Sequence, residues 1–265
     1  MPLNPDLEKR CDEIRATLKC GLSPVDVVKI AQEENIELAP GDYGMGFDGR
    51  IEYLPRDKRF VIYHPMRDPL SDPRVRFSIA HEMGHYYIEH HREKLLDGAH
   101  HDSLIGFRSS EQMEREADEF AASLLIPCST LDGYIKRKGF MTFGEIFRAS
   151  DLLAVSLTAA AIRYARYAEE PCAIVMSENN KILYFISSDE MKAIGLGFMK
   201  RGVEIPTLST ARKLLATSVH RTIIERPASS DEWYSDHWKS VNLWEEAMSL
   251  GYQGQVVTLL SIQKR

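Results

Sequence analysis

Apolar positions in the first half of the chain recur every three to four residues over long stretches, which is the period of an amphipathic helix. Proline marks several of the expected ends, because it is tolerated in the first turn of a helix and interrupts a helix further along. Pro73 follows Asp72 at the start of the longest stretch, and Pro127 closes the next one. The pattern predicts four helices, over residues 6–19, 24–35, 72–92 and 111–126.

Shorter apolar runs, rich in β-branched and aromatic residues, lie between the second and third of these helices. Residues 51–54 and 59–64 predict two strands joined by a turn at 55–58. Residues 94–110 contain glycine and polar residues and predict a loop. We therefore expect strands and two long helices in the first part of the chain.

After Pro127 the pattern changes twice. Residues 129–168 predict three short helices, and from Pro171 the runs CAIVMS and KILYFIS predict a hairpin that turns at 178–180. A helix over about 236–250 and a last strand, QVVTLLSI, complete the expected elements. The predicted fold class is α+β, in three domains over residues 1–128, 129–170 and 171–265.

Composition and cysteine usage narrow the class of protein. Apolar residues make up 44% of the chain and charged residues 27%, which is ordinary for a globular protein. No run approaches the roughly 20 apolar residues of a bilayer span, and MPLNPDLEKR lacks the features of a signal peptide. We therefore expect a cytoplasmic protein with no membrane segment. The cysteines show no CxxC spacing and are expected to be reduced and buried: Cys11, Cys20, Cys128 and Cys172.

Negative charge is concentrated in the first part of the chain. The whole chain has a net charge of −6, but residues 1–128 carry −8, while 129–170 and 171–265 carry +1 each. An acidic surface repels phosphate backbones. Direct binding of this part of the chain to nucleic acid is therefore disfavoured.

The sequence His81-Glu82-Met83-Gly84-His85 carries the strongest chemical signal. Residues four apart lie on one face of a helix, so His81 and His85 can both reach one metal ion. Glu82 is expected to be the general base that accepts a proton from water activated by zinc. The apolar run VRFSIA before the motif indicates a buried helix, which strengthens the signal of a short motif. The alternative is a helix with two solvated histidines.

A catalytic zinc ion needs a third protein ligand, and three residues compete for that role. Glu89 lies eight residues from His81, about 12 Å of helical rise, which is too far for one ion. His91 gives the HExxHxxxxxH spacing of metzincins, but those proteins have a glycine where this chain has Ile88. Without that turn we expect the helix to continue and His91 to face away from His85.

Glu114 is the preferred third ligand. It lies near the start of the helix over 111–126, so its carboxylate can approach the ion from the side that the first helix leaves open. Asp118, one turn further on, is expected to accept the free N–H of a zinc-binding histidine. The rivals on this helix are Glu116, about 200° round the axis, and Glu111, at the frayed start.

These residues resemble the ImmA/IrrE family of zinc metallopeptidases. IAHEMGHYYI, followed about thirty residues later by EREADEFAASLLIP, matches the family's HExxH helix, its glutamate with Asp or Asn four residues on, and its FAxxLLxP ending. The resemblance is specific over residues 23–127. It implies a zincin-like domain, then a helical segment similar to a helix-turn-helix unit, then a GAF-like sensor domain. It also implies Zn²⁺ held by His81, His85 and Glu114, with Glu82 as catalytic residue and Asp118 behind the ligands.

The resemblance further implies a site-specific endopeptidase that cleaves a helix-turn-helix repressor and so derepresses stress-response or mobile-element genes. A small-molecule signal acting on residues 171–265 is a further expectation. Two other hypotheses stay open. One is a DNA-binding transcription regulator with a structural zinc and no peptidase activity, and the other is a pseudo-enzyme that acts by binding its partner.

Overall fold

The computed structural model describes the chain over residues 4–44, 47–98, 101–104, 112–217, 221–234, 240–251 and 254–262, without the side chains of 101–104 and 137–138. The chain divides into two compact units. The first contains Leu3–Thr130 and Ser150–Ser156, and the second contains Leu131–Ala149 and Leu157–Arg265. The division into domains over 1–128, 129–170 and 171–265 stays a prediction.

The first unit combines a four-stranded sheet with helices. The strand order is β1-β3-β2-β4, with β1 parallel to β3 and the other neighbours antiparallel. In chain order the elements are α1 (Pro5–Thr17), α2 (Val27–Glu33), β1 (Ile36–Gly41), β2 (Phe47–Leu54), β3 (Arg59–Pro65), α3 (Pro73–Tyr87), α4 (Glu89–Leu96), β4 (His101–Leu104) and α5 (Gln112–Leu125).

Helix α3 carries the HEMGH sequence and is buried along most of its length. Its start follows the expected signals, because Asp72 accepts hydrogen bonds from the backbone N–H groups of Arg74 and Val75 and Pro73 stands in the first turn. Ile79 and Met83 are fully buried on this helix, which packs against β2 and β3. The sheet therefore holds α3 in place from one side.

The end of α3 corrects the predicted helix over 72–92. The chain leaves the helical conformation at Ile88, which has φ −81° and ψ 116°, and a separate helix, α4, starts at Glu89. Burial explains the break, since the change of direction brings Ile88, His91 and Leu95 into the interior of the unit. A straight helix would have presented a different face of these residues.

The predicted loop over 94–110 is also partly wrong. Helix α4 continues to Leu96, and His101–Leu104 form β4, an edge strand that pairs with β2. Residues 99–100 and 105–111 lie outside the described residues. Strand β1 was not predicted, because it is short and ends in Pro40 and Gly41, which are rare inside strands.

Helix α5 packs against α1 on one side and against α3 on another. The buried Arg15 of α1 donates a hydrogen bond to the backbone oxygen of Leu124, with an Nη1–O distance of 3.1 Å. Against α3, a Cβ atom built on Gly84 would lie only 3.0 Å from the Cα atom of Ala117. The two helices can approach this closely because position 84 has no side chain.

The second unit is built on a five-stranded antiparallel sheet in the order β6-β5-β9-β8-β7. The three short helices and the hairpin predicted for this half are present. The elements are α6 (Cys128–Lys138, which starts in the first unit), α7 (Phe143–Leu153, which ends in it), α8 (Leu157–Tyr167), β5 (Cys172–Glu178), β6 (Lys181–Ser187), α9 (Asp189–Ala193), α10 (Thr210–Leu215), β7 (Ile223–Ser229), α11 (Ser230–Trp233), β8 (Asn242–Ser249) and β9 (Gln255–Ser261).

The predicted helix over about 236–250 is wrong, since residues 242–249 form β8 and pair with β7 and β9 on either side. The helix-forming composition of this segment is overridden by burial. Glu245 is fully buried and accepts hydrogen bonds from Thr210, Arg226 and Trp233. These contacts make a β-strand the favoured conformation for a segment that contains two glutamates. The GAF-like assignment of this sheet stays a prediction.

Two expectations about composition can be compared with the structure. None of the four cysteines forms a disulfide; Cys11 and Cys172 are buried, and Cys20 and Cys128 are half-buried. Among the described residues, no helix combines the length and the apolar character that crossing a bilayer requires.

The contact between Gly84 and Ala117 generates a prediction about stability. Gly84→Val should lower the free energy of unfolding by about 1–3 kcal/mol, because the new side chain meets backbone atoms of α5. Gly133→Ala is the matched control: Gly133 lies in α6 with open space around it, and alanine there should raise stability by up to about 1 kcal/mol. Urea unfolding measures both, and an unchanged Gly84→Val protein would contradict the tight helix contact.

Candidate metal centre

His81 and His85 lie one turn apart on α3 and point their Nε2 atoms at the same place. The two Nε2 atoms are 3.2 Å apart, and both side chains are buried. The spacing of four residues along a helix therefore produces the convergence that the sequence predicted.

Glu114 on α5 completes a group of three. Its Oε2 atom is 3.4 Å from His81 Nε2 and its Oε1 atom is 3.5 Å from His85 Nε2. The group can hold a metal ion. Of the other candidates, Glu89 is exposed on α4, and Glu111 lies outside the described residues.

The distances within this group fit a zinc ion better than a set of hydrogen bonds. Zinc binds nitrogen and oxygen at about 2.0–2.2 Å, so two ligand atoms in a tetrahedral site lie about 3.3–3.5 Å apart. Hydrogen bonds between nitrogen and oxygen are shorter, at about 2.9–3.0 Å. The observed separations of 3.2–3.5 Å match the ligand spacing, and two imidazoles with one carboxylate form a common catalytic zinc set.

Asp118 supports the first histidine. Its Oδ1 atom accepts a hydrogen bond of 2.9 Å from His81 Nδ1. With a metal ion bound, this bond would keep the ring proton on Nδ1 and leave the Nε2 lone pair for the ion. Burial would lower the pKa of His81, but the neighbouring carboxylates of Asp118 and Glu114 outweigh it and raise the pKa to about 10. The surroundings therefore favour positive charge at this position.

Glu82 is fully buried beside the two histidines, against strand β2. A Cβ atom built on Gly49 of β2 would lie 2.9 Å from Glu82 Oε1. The register of β2 against β4 shifts at this glycine. Because Gly49 has no side chain, the Glu82 carboxylate has room beside β2. No sequence pattern singled out Gly49 from its neighbouring glycines.

His91 is placed differently from the prediction. Because α3 ends at Tyr87, the His91 ring does not face away but lies 4.9 Å from the His85 ring, centroid to centroid. Its Nε2 atom nevertheless points to Glu116 Oε2, at 3.0 Å, and it is not part of the first group. Glu116, the rival of Glu114 on α5, pairs with His91 and is not part of the first group. Sequence reasoning missed the contact between His91 and Glu116.

Tyr86 and Tyr87, which follow the HEMGH sequence, both contact Glu34. The hydroxyls of Tyr86 and Tyr87 both donate to the carboxylate of Glu34, at 3.0 and 2.9 Å. Burial, followed by the hydrogen bond to Glu34, raises the pKa of both phenols. Their hydroxyls thus tie the end of α3 to the residue that follows α2.

Fold and site together define a metallopeptidase-like centre: an HExxH helix beside a small sheet, with a carboxylate supplied by a second helix. Residues 45–164 match the model of the IrrE N-terminal-like domain, which is an M78 peptidase family. Over these residues the chain is similar to the ImmA/IrrE family of metallopeptidases.

The chain is also similar to individual proteins. The chain is 27% identical over 154 residues to the radiation response metalloprotease IrrE of Deinococcus deserti, and the match covers 50% of this chain and 54% of that protein. It thus spans about half the length of this relative. In fold, the chain is similar to a Mycobacterium tuberculosis transcriptional regulator, with a TM-score of 0.62 and 13% identity over 98% of this chain and 77% of that one.

The hydrogen bond between Asp118 and His81 generates a prediction about metal affinity. Asp118→Asn should weaken zinc binding about 10–100-fold, because the amide is a poorer acceptor and orients the ring less firmly. Competition with a chromophoric chelator measures the change. Asp132→Asn, at a half-buried acid in α6, should leave the affinity unchanged. Equal affinity of the Asp118→Asn and wild-type proteins would show that this bond does not support a ligand.

Proposed function

We propose that this protein is a zinc-dependent endopeptidase in which His81, His85 and Glu114 hold the ion and Glu82 is the general base. The observation that carries the proposal is the spacing of 3.2–3.5 Å among the three ligand groups, with a buried glutamate next to the first of them. The match of residues 45–164 to a metallopeptidase family supports it. When bound, zinc would act as a Lewis acid toward the peptide carbonyl and increase the acidity of water.

The residues of the chain divide the work of hydrolysis. Glu82 accepts a proton from the attacking water on a carboxylate oxygen and delivers it to the amide nitrogen that leaves. Gly49 leaves the space in which that carboxylate stands. Asp118 holds His81 in one tautomer, so the ring cannot rotate away from the centre during turnover.

As substrate we propose a helix-turn-helix repressor, cleaved at one site in the cytoplasm, so that stress-response or mobile-element genes are derepressed. Support comes from the relative, which is named a radiation response metalloprotease. The net charge of −8 over residues 1–128 would also attract a basic DNA-binding protein. A small-molecule signal acting on residues 171–265 would control when cleavage occurs.

A DNA-binding regulator with a structural zinc is the second candidate, because the similar fold belongs to a protein called a transcriptional regulator. Two observations disfavour it. A structural zinc site is closed by four protein ligands, whereas the group of described residues offers three. Such a site also has no use for a buried glutamate beside its first ligand. A gel-shift titration that finds tight, salt-dependent DNA binding and no proteolysis would favour this second candidate.

Glu82→Gln tests the proposed chemistry. The variant should retain one tight zinc ion, because Glu82 is not a ligand, and should lose cleavage by at least about 100-fold, because an amide cannot accept the proton. The protein is incubated with a purified helix-turn-helix repressor, and new termini are identified by mass spectrometry. Cleavage at the wild-type rate by Glu82→Gln would refute the role of this residue.

Gly49→Ala tests how the general base is positioned. The added methyl group would press on the Glu82 carboxylate, so kcat should fall by about 10–100-fold while zinc content stays the same. Gly133→Ala, at an exposed glycine with open space around it, is the control and should keep full activity. If Gly49→Ala is as active as the control, β2 does not constrain Glu82.

A further inference from the structure

A second group of possible metal ligands lies beside the first. It consists of His90 and His91 in the first turn of α4, together with Glu116 of α5. The Nε2 atoms of the two histidines lie 2.9 and 3.0 Å from the same atom, Glu116 Oε2. Two imidazoles and a carboxylate are the same donor types as in the first group.

The second group is partly buried, and His90 is its most exposed member. The His91 side chain is fully buried, that of Glu116 is 21% exposed, and that of His90 is 55% exposed. His91 and Glu116 therefore form a fixed floor, while His90 stands at the surface. Solvent molecules can supply the remaining coordination positions, as they do in zinc sites with three protein ligands.

The second group shares no ligand with the first. Glu116 Oε1 accepts a hydrogen bond of 2.7 Å from Gln112, which orients the carboxylate toward the histidines. The His91 ring lies against the His85 ring, but its Nε2 atom points to Glu116. Each group can thus hold an ion of its own.

We propose that His90, His91 and Glu116 form a second site for a transition-metal ion of the zinc class. An incoming ion replaces the hydrogen bond of His91 and the ion pair of His90 at Glu116 Oε2, and each ring binds it through an unprotonated Nε2 with its proton on Nδ1. The donor set selects zinc and similar ions over magnesium or calcium, which prefer oxygen ligands.

Two features make this site weaker than the first. Its atoms are spaced at hydrogen-bond distances, so they must spread by a few tenths of an ångström to reach the spacing of about 3.3 Å in a zinc site. The buried His91 Nδ1 also finds no hydrogen-bond partner among the described residues, whereas His81 Nδ1 has Asp118. The first site therefore fills first, and the second loses its ion first to a chelator.

Metal titration of the full-length protein tests the proposal. The metal-free protein is titrated with Zn²⁺ against chromophoric chelators of graded affinity, and with Co²⁺ followed by its visible absorption. The wild type should bind about two equivalents, one tight and one weaker. His90→Ala should bind only the tight equivalent, and Glu116→Gln should weaken the second equivalent at least about 10-fold. Glu93→Ala, an exposed acid on the same helix outside both groups, should still bind two.

The tight equivalent serves as the check on folding, because it persists only where α3 and α5 keep their arrangement. His81→Ala should show the converse, losing the tight equivalent and keeping the weaker one. A wild-type protein that saturates at a single equivalent would overturn the second site. So would a His90→Ala protein that keeps the tight equivalent and still binds a second ion with wild-type affinity.

Discussion

The close approach of α3 and α5 is the constraint on which the metal centre depends. Gly84 directly precedes the ligand His85, and Ala117 directly precedes Asp118. The two small residues face each other at the contact. Because the helices pack this closely, the Glu114 carboxylate reaches both imidazoles. The same close packing brings the Asp118 carboxylate to Nδ1 of His81.

The surrounding structure holds this contact from three sides. Helix α1 fixes α5 through Arg15, the sheet supports α3 through β2 and β3, and Glu34 ties down the tyrosines at the end of α3. Each of these contacts restricts a movement of α3 or α5 that would separate the ligand groups. Rigid placement of this kind is what a catalytic metal site requires.

Part of the candidate site could be predicted from the sequence, because each of two helices places a pair of its side chains by local geometry. A spacing of four residues puts His81 and His85 on one face, and the same spacing links Glu114 to Asp118. The predictions that were wrong concern segments whose conformation depends on contacts distant in sequence. Glu245 and Glu246 favour a helix locally but lie in an interior strand, β8. The helix ends at Ile88 because burial of its neighbours favours a change of direction there. The space that Gly49 leaves for Glu82 has no local signature at all.

Anomalous diffraction at the zinc edge, on crystals of the zinc-loaded protein, tests the convergence of the two helices most directly. The strongest peak should lie about 2.0–2.2 Å from His81 Nε2, His85 Nε2 and a Glu114 oxygen, with solvent in the remaining position. A strongest peak away from these three atoms, or one with a fourth protein group in place of the solvent, would contradict the account.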